Sequence, residues 1–243
     1  MFENPTLVYL LSFALMLPCL LLAGWASARV HSVYNKYSAM HTQSDWTASD
    51  AARMLLEKNN VLGVQVVRGK GRLTDNFNPA NMTVTLSEST YDSASVAAVA
   101  VAAHEIGHVV QREEGYLFYR LRTVLVPITN FGTRLALPLV IIGLLLEWLL
   151  QYSEIGNIVV FVGVCLYALS TVFLLVTLPV ELDASRRAKA MLCENGVITT
   201  ADERAAASKV LGAAAMTYVA SLLTSLVFFL RFLAFVLMFS RRK

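Results

Sequence analysis

"VAVAAHEIGHVVQREEG", from Val99 to Gly115, holds two of the four histidines in a chain of 243 residues. His104 and His108 stand four apart. On an α-helix such residues lie on one face, one turn from each other, so both imidazoles can reach one Zn2+ while Glu105 projects beside a metal-bound water. The preceding "SASVAAVAVAA", Ser93 to Ala103, contains no Gly or Pro and suits a helix, which Asp92 or Ser93 can cap. Gly115 suits its C-terminal end. H-E-x-x-H also arises by accident on amphipathic helices, so the zinc reading needs a third ligand from elsewhere in the chain.

Outward from this helix the composition is that of a membrane protein. Hydrophobic residues make up 56% and charged residues 15%, and the apolar excess sits in a few long runs. The first is Pro5–Ala28. A cleaved signal peptide is the competing reading, since "ASA" at Ala26–Ala28 fits a cleavage site. The run is too long for that, however, and Glu3 rather than a basic residue precedes it. Further runs cover Leu135–Leu150, Asn157–Val180 and Tyr218–Phe239, and only "QYSEIG" separates the second from the third. The last run is interrupted by Arg231, which either faces a protein partner or marks a kink or a shallow helix. The three cysteines, Cys19, Cys165 and Cys193, form no metal or disulfide pattern.

Lys and Arg set the orientation. Residues 29–134 hold eleven, residues 181–216 hold five, and the hairpin at 151–156 holds none. Both large segments read as cytoplasmic. Arg241-Arg242-Lys243 conflict with four full crossings: either the rule fails there or the last run does not cross. A net charge of +3 without a basic stripe sets nucleic acid aside as a partner. The expected fold is an α-helical membrane protein with a small β-sheet, a zincin-like core packing on about four transmembrane helices. The whole chain is one unit: 5–28 and 135–180 in the membrane, 29–134 and 181–216 cytoplasmic, and 217–240 a fourth span or a kinked membrane helix.

For the third ligand, His31 and His41 have no partner motif. Glu181, in "PVELDASRRAKAML", is the first charged residue after the third run and opens a helix-compatible stretch. That run returns the chain to the face carrying the 104–108 helix, so Glu181 can approach the metal. Its plainer role is a surface carboxylate near a helix N-terminus.

"GRLTDNFNPANMTVTLSESTY", "VAAHEIGHVVQ", "VPITNFG", "VELDASRRA" and "KVLGAAAMTYVAS" occur in that order. Together they resemble the bacterial YugP-type neutral zinc metallopeptidases, integral membrane proteins, over almost the whole chain. The resemblance implies a gluzincin-type site in the inner (plasma) membrane, with His104 and His108 as ligands and Glu105 as base. It also supports Glu181 as third ligand. More distantly the chain is similar to the HtpX and CAAX-prenyl-protease type. There an Asp follows the ligand Glu by four residues; here that position is Ser185, which could still hydrogen-bond a ligand histidine. Asp183, two residues from Glu181, points to a different helix face. Sequences of the resembled type carry His and Asp where this chain has Asn76 and Asn78, which puts a catalytic duty for that block in doubt.

"MTVTLSE", Met82 to Glu88, alternates as a half-exposed strand does. Met82, Thr83, Val84, Thr85 and Leu86 are expected to form an edge strand that holds an extended substrate by main-chain pairing. A short amphipathic helix is expected over Ser49–Asn59, a strand over Val64–Val67 and a further cytoplasmic helix over Thr200–Tyr218. Oxyanion stabilisation falls to Tyr91, Arg186 or Arg187, without a choice among them. "SRRA" serves equally as a positive anchor at the membrane surface.

The function so read is zinc-dependent hydrolysis of peptide or membrane-protein substrates. A role in membrane-protein quality control follows from the HtpX similarity alone. Three alternatives stand beside it. A site-2-type intramembrane protease would need the motif inside a span and an Asp ligand from another. The others are a non-catalytic membrane scaffold with a zinc site, and a metal transporter, for which the spans offer few polar groups.

Overall fold

The computed structural model describes residues Pro5–Leu149 and Ser153–Ser240. Glu3, residues 150–152 and Arg241-Arg242-Lys243 lie outside the described residues, while residues 153–156, expected in the hairpin turn, begin a helix. The element order is α1 (Pro5–Ser38), α2 (Ala48–Lys58), β1 (Gln65–Arg68), β2 (Asn76–Asn78), β3 (Thr83–Leu86), α3 (Val96–Glu113), α4 (Leu117–Leu149), α5 (Ser153–Glu194) and α6 (Ala201–Ser240). The chain divides into two compact units. One comprises Met1–Trp25, Leu121–Leu178 and Tyr218–Lys243, the other Ala26–Arg120 and Pro179–Thr217.

The first unit is built from the apolar lengths of α1, α4, α5 and α6. Among the described residues three helices are long and apolar enough to cross a membrane, and a bent pair within α4 makes up to four. The bend of 46° falls between Asn130 and Arg134. Pro138 accounts for it: a proline removes the hydrogen bond to the carbonyl four residues earlier, here Arg134, and crowds it. Large apolar side chains face outward, such as Leu21 at 64% and Phe161 at 68% exposure, as expected where lipid is the solvent. The helices α4 and α5 meet through glycines. A Cβ on Gly143 would lie 2.8 Å from the Gly156 carbonyl oxygen, and one on Gly163 2.8 Å from that of Ala136. Small residues let membrane helices approach backbone to backbone.

Arg231 lies within the continuous helix α6 and is not without company. Its guanidinium lies 3.1 Å from the Tyr9 hydroxyl and 3.3 Å from the Met16 sulfur. It also stands 5.0 Å and 4.9 Å from the ring centroids of Tyr9 and Phe13. Aromatic faces and a polarisable sulfur offset part of the cost of a cation in an apolar unit.

The second unit has α3 at its centre. Its run of Ala and Val, from Val96 to Ala100, is fully buried, and the short side chains let neighbours close in from several sides. Ser95, not Asp92 or Ser93, is its N-cap, the side chain accepting from the Ala98 N–H at 3.3 Å. At its other end Gly115 adopts φ +66. There the Tyr116 N–H bonds the Gln111 carbonyl and the Gly115 N–H that of Arg112, a left-handed helix stop that favours glycine. The amphipathic α2 begins at the Thr47 cap and buries Ala48, Ala51, Ala52, Leu55 and Leu56.

The sheet has strand order β1-β3-β2, with β1 parallel and β2 antiparallel to β3. This corrects the expectation for Met82–Leu86. Met82 precedes the strand in a left-handed turn at φ 54, and Thr83, Val84, Thr85 and Leu86 form the central strand rather than an edge. Both its ladders are occupied, so it has no free main-chain groups for a peptide. The alternation itself is real, since Val84 and Leu86 are buried and Thr83 and Thr85 half-buried. The edges are β1 and β2.

Three helix boundaries also differ from expectation. The first run continues to Ser38 as one helix, Glu181 lies well inside α5 rather than at a helix start, and the 200–218 helix is the first half of α6.

Candidate metal centre

All the groups that matter here belong to the second unit. Helix α3 presents His104, Gly107, His108 and Gln111 along one stripe, the i, i+3, i+4, i+7 face of a helix. Opposite runs the α5 segment Val180–Ser185. The two backbones touch at Gly107, where a Cβ would lie 2.7 Å from the Ala184 carbonyl oxygen. Any side chain there would hold the helices apart, and the distances that follow depend on that closeness.

Across the contact, the His104 Nε2 lies 3.2 Å from the Glu181 Oε2, and the His108 Nε2 lies 3.5 Å from the same oxygen. Ligand atoms from the three residues lie within 4.8 Å of one another, a grouping that could hold a metal ion. Glu181 is 1% exposed. The far nitrogens of both rings are tied as well: the His104 Nδ1 sits 3.2 Å from the Ser185 hydroxyl and the His108 Nδ1 3.0 Å from the Gln111 Oε1. The two rings stand edge to face at 4.8 Å. Tetrahedral zinc with bonds of about 2.0–2.1 Å separates its ligand atoms by roughly 3.3 Å, so the two nitrogen-to-oxygen distances fit zinc's requirement.

Glu105 is buried on α3 between the histidines. Burial pushes its carboxyl up to about 7, and the nearby Glu181 and Asp75 carboxylates add to the rise, while His104 and a hydrogen bond from the Phe77 backbone oppose it. Phe77 is the middle residue of the edge strand β2. Asp75 anchors that strand, accepting from the Ser87 N–H at 2.8 Å and the Ser87 hydroxyl at 3.1 Å. The block with Asn76 and Asn78 thus adjoins the site through its backbone. A carboxyl near 7 can both take and return a proton at neutral pH.

The other expected residues are placed differently. Asp183 and Ser185 belong to the contact with α3, Asp183 receiving the Gln111 amide at 2.9 Å. Arg186 and Arg187 both pair with Asp183, and Arg187 reaches Glu114 at 2.6 Å. Tyr91 sits against α2. Its hydroxyl is 2.6 Å from Arg53, and its ring lies beneath the guanidinium groups of Arg53 and Arg68; no contact joins it to the histidines among the described residues. Gln111, Gly107 and the Phe77 backbone were missed in the sequence reading. Gln111 was findable, because it stands three residues beyond His108 and seven beyond His104. Tyr119, whose ring centroid is 6.3 Å from that of His108, carried no comparable signal.

The family described as "Putative neutral zinc metallopeptidase" matches residues 12–237. A relative from Bacillus subtilis (strain 168), named "Putative membrane protease YugP", is 39% identical over 211 residues, which is 87% of this chain and 90% of the relative. No solved structure matches. The match runs from the first apolar helix into the last, and the chain belongs to this family of neutral zinc metallopeptidases.

Proposed function

We propose that the chain is a multi-pass membrane endopeptidase whose zinc is held by His104, His108 and Glu181 and whose general base is Glu105. The observation that carries this is the convergence of two Nε2 atoms on one buried carboxylate oxygen, beside the second buried carboxyl of Glu105. Zinc, when bound, would polarise the scissile carbonyl and acidify the attacking water. Glu105 takes the proton from that water and hands it to the leaving amine. The Glu181 carboxylate would balance part of a bound metal's charge, and Ser185 and Gln111 would steady the two rings. An extended peptide would lie along the outer edge of β2, where the Phe77 backbone already reaches Glu105. Its source would be polypeptide on the cytoplasmic side, a reading supported by the sixteen Lys and Arg of residues 29–134 and 181–216. An intramembrane site of the site-2 type has no support, since α3 is not among the helices apolar enough to cross.

The test is metal stoichiometry of the detergent-purified protein together with cleavage of a quenched fluorogenic peptide library. Wild type is expected to hold one zinc per chain, and His104→Ala and Glu181→Ala to lose it. Glu105→Gln is expected to keep the metal while cleavage falls by at least about 100-fold. Zinc retained in Glu181→Ala would move the third ligand elsewhere, and a zinc-free wild type would reject the enzyme reading.

A further inference from the structure

Gln111 is 0% exposed and buried with all its polar atoms engaged. Its Nε2 donates to the Val180 carbonyl at 2.8 Å and to the Asp183 Oδ2 at 2.9 Å. A carbonyl and a carboxylate can only accept, so the amide nitrogen must face them and the amide oxygen must face His108. The amide cannot flip without setting oxygen against two acceptors. Asp183 is held in turn by the Arg187 Nε at 2.5 Å and by Arg186.

The consequence reaches the metal ligand. The Gln111 oxygen is an acceptor 3.0 Å from the His108 Nδ1, so that nitrogen must carry the hydrogen and the neutral ring presents its lone pair at Nε2. This lone pair points towards the Glu181 Oε2 at 3.5 Å. Two lone pairs facing each other repel unless a cation or a proton lies between them. His104 differs, because its Nδ1 partner is the Ser185 hydroxyl, which can donate or accept and imposes neither tautomer.

We infer that Gln111 is a positioning residue of the metal centre: clamped by Asp183 and the Val180 carbonyl, it commits His108 to the tautomer that binds metal through Nε2, whereas His104 adapts. The inference rests on His108 being a zinc ligand, as proposed above.

The experiment is zinc affinity by competition with a chromophoric chelator, on the full chain in detergent. It is joined by long-range proton–nitrogen NMR of 15N-histidine protein, which has only four histidines to assign. Gln111→Met fills similar space without an acceptor and is expected to weaken zinc binding about 10–100-fold. Gln111→Glu keeps an acceptor against the His108 Nδ1 while facing Asp183 with a second carboxylate. It is expected to unfold more readily than Gln111→Met yet to bind zinc within a few-fold of wild type. A purely structural bridge between α3 and α5 would give the opposite order in affinity.

In metal-free wild type His108 is expected to carry its hydrogen on Nδ1, a readout that needs no variant to fold. Gln111→Met with wild-type affinity, or His108 protonated on Nε2 alone, overturns the inference while leaving the metal site intact. A wild type that binds no zinc overturns the proposed function and this inference with it.

Discussion

At position 107 a single methyl group would press to 2.7 Å from the Ala184 carbonyl oxygen and 3.2 Å from its Cα. Backbone cannot retreat as a flexible side chain can. Gly107→Ala is therefore expected to cost about 1–3 kcal/mol and to separate His104 and His108 from Glu181. Thermal unfolding and zinc content measured together check this, and a variant with wild-type zinc content would show that the contact is not limiting. A second residue ties distant parts of the same unit. Glu203, 1% exposed, accepts the N–H groups of Gln43 and Thr199 at 2.7 Å and of Thr200 at 2.9 Å. Burial alone would raise its carboxyl; those donors outweigh it and draw it down to about 2, from 4.5. A depressed folded-state value stabilises the fold fully above pH 4.5, and the contribution drains away as pH falls towards 2, about 3 kcal/mol in all. The stability gap between wild type and Glu203→Gln should be widest near neutrality and close over that window. A gap independent of pH between 5 and 2 would contradict the assignment.

At the scale of elements, the proposal that β2 receives the substrate makes a periodic prediction. Main-chain pairing engages alternate residues of an extended peptide. N-methylation walked along a cleaved peptide should therefore raise KM at every second position and spare those between, whereas a groove reading side chains alone would show no period of two. Which strands lie at the edges has no signal in the sequence. Alternation in Thr83–Leu86 reports which face of a strand is buried, and it is silent on what lies at either side in the plane of the sheet. The three-residue β2, Asn-Phe-Asn, has too little pattern to be read as a strand at all. The motif helix was legible because its chemistry and its periodicity coincide at positions 104 and 108. Helix lengths were misjudged for a physical reason: an apolar run ending at Val180 marks a change of solvent, and the backbone of α5 continues through it without a break.

For the molecule as a whole, sidedness is the open proposal, and its own cysteines can test it. Cys193 is exposed in the unit that holds His104 and Glu181, Cys165 lies in an apolar run, and Cys19 is half-buried in another. A membrane-impermeant maleimide needs a hydrated thiolate and should find Cys193 alone. Labelling is expected in inside-out vesicles and absent in intact spheroplasts, while labelling from outside would invert the topology. The abundance of Lys and Arg outside the apolar runs is what motivates this orientation, whereas the pairing of the Arg231 guanidinium with Tyr9, Phe13 and Met16 has no signal in the sequence, since it joins distant parts of the chain. The close fit of α3 and α5 carries one more consequence. Positions 104, 107, 108 and 111 mesh with positions 180, 181, 183, 184 and 185 like two racks of teeth, with only one helical phase in which all of them engage. A single residue inserted within either rack would turn the rest by about 100°. Exchanged between relatives, either rack alone would be foreign to its counterpart; the two moved together would travel as a cassette, whatever chain lies between them.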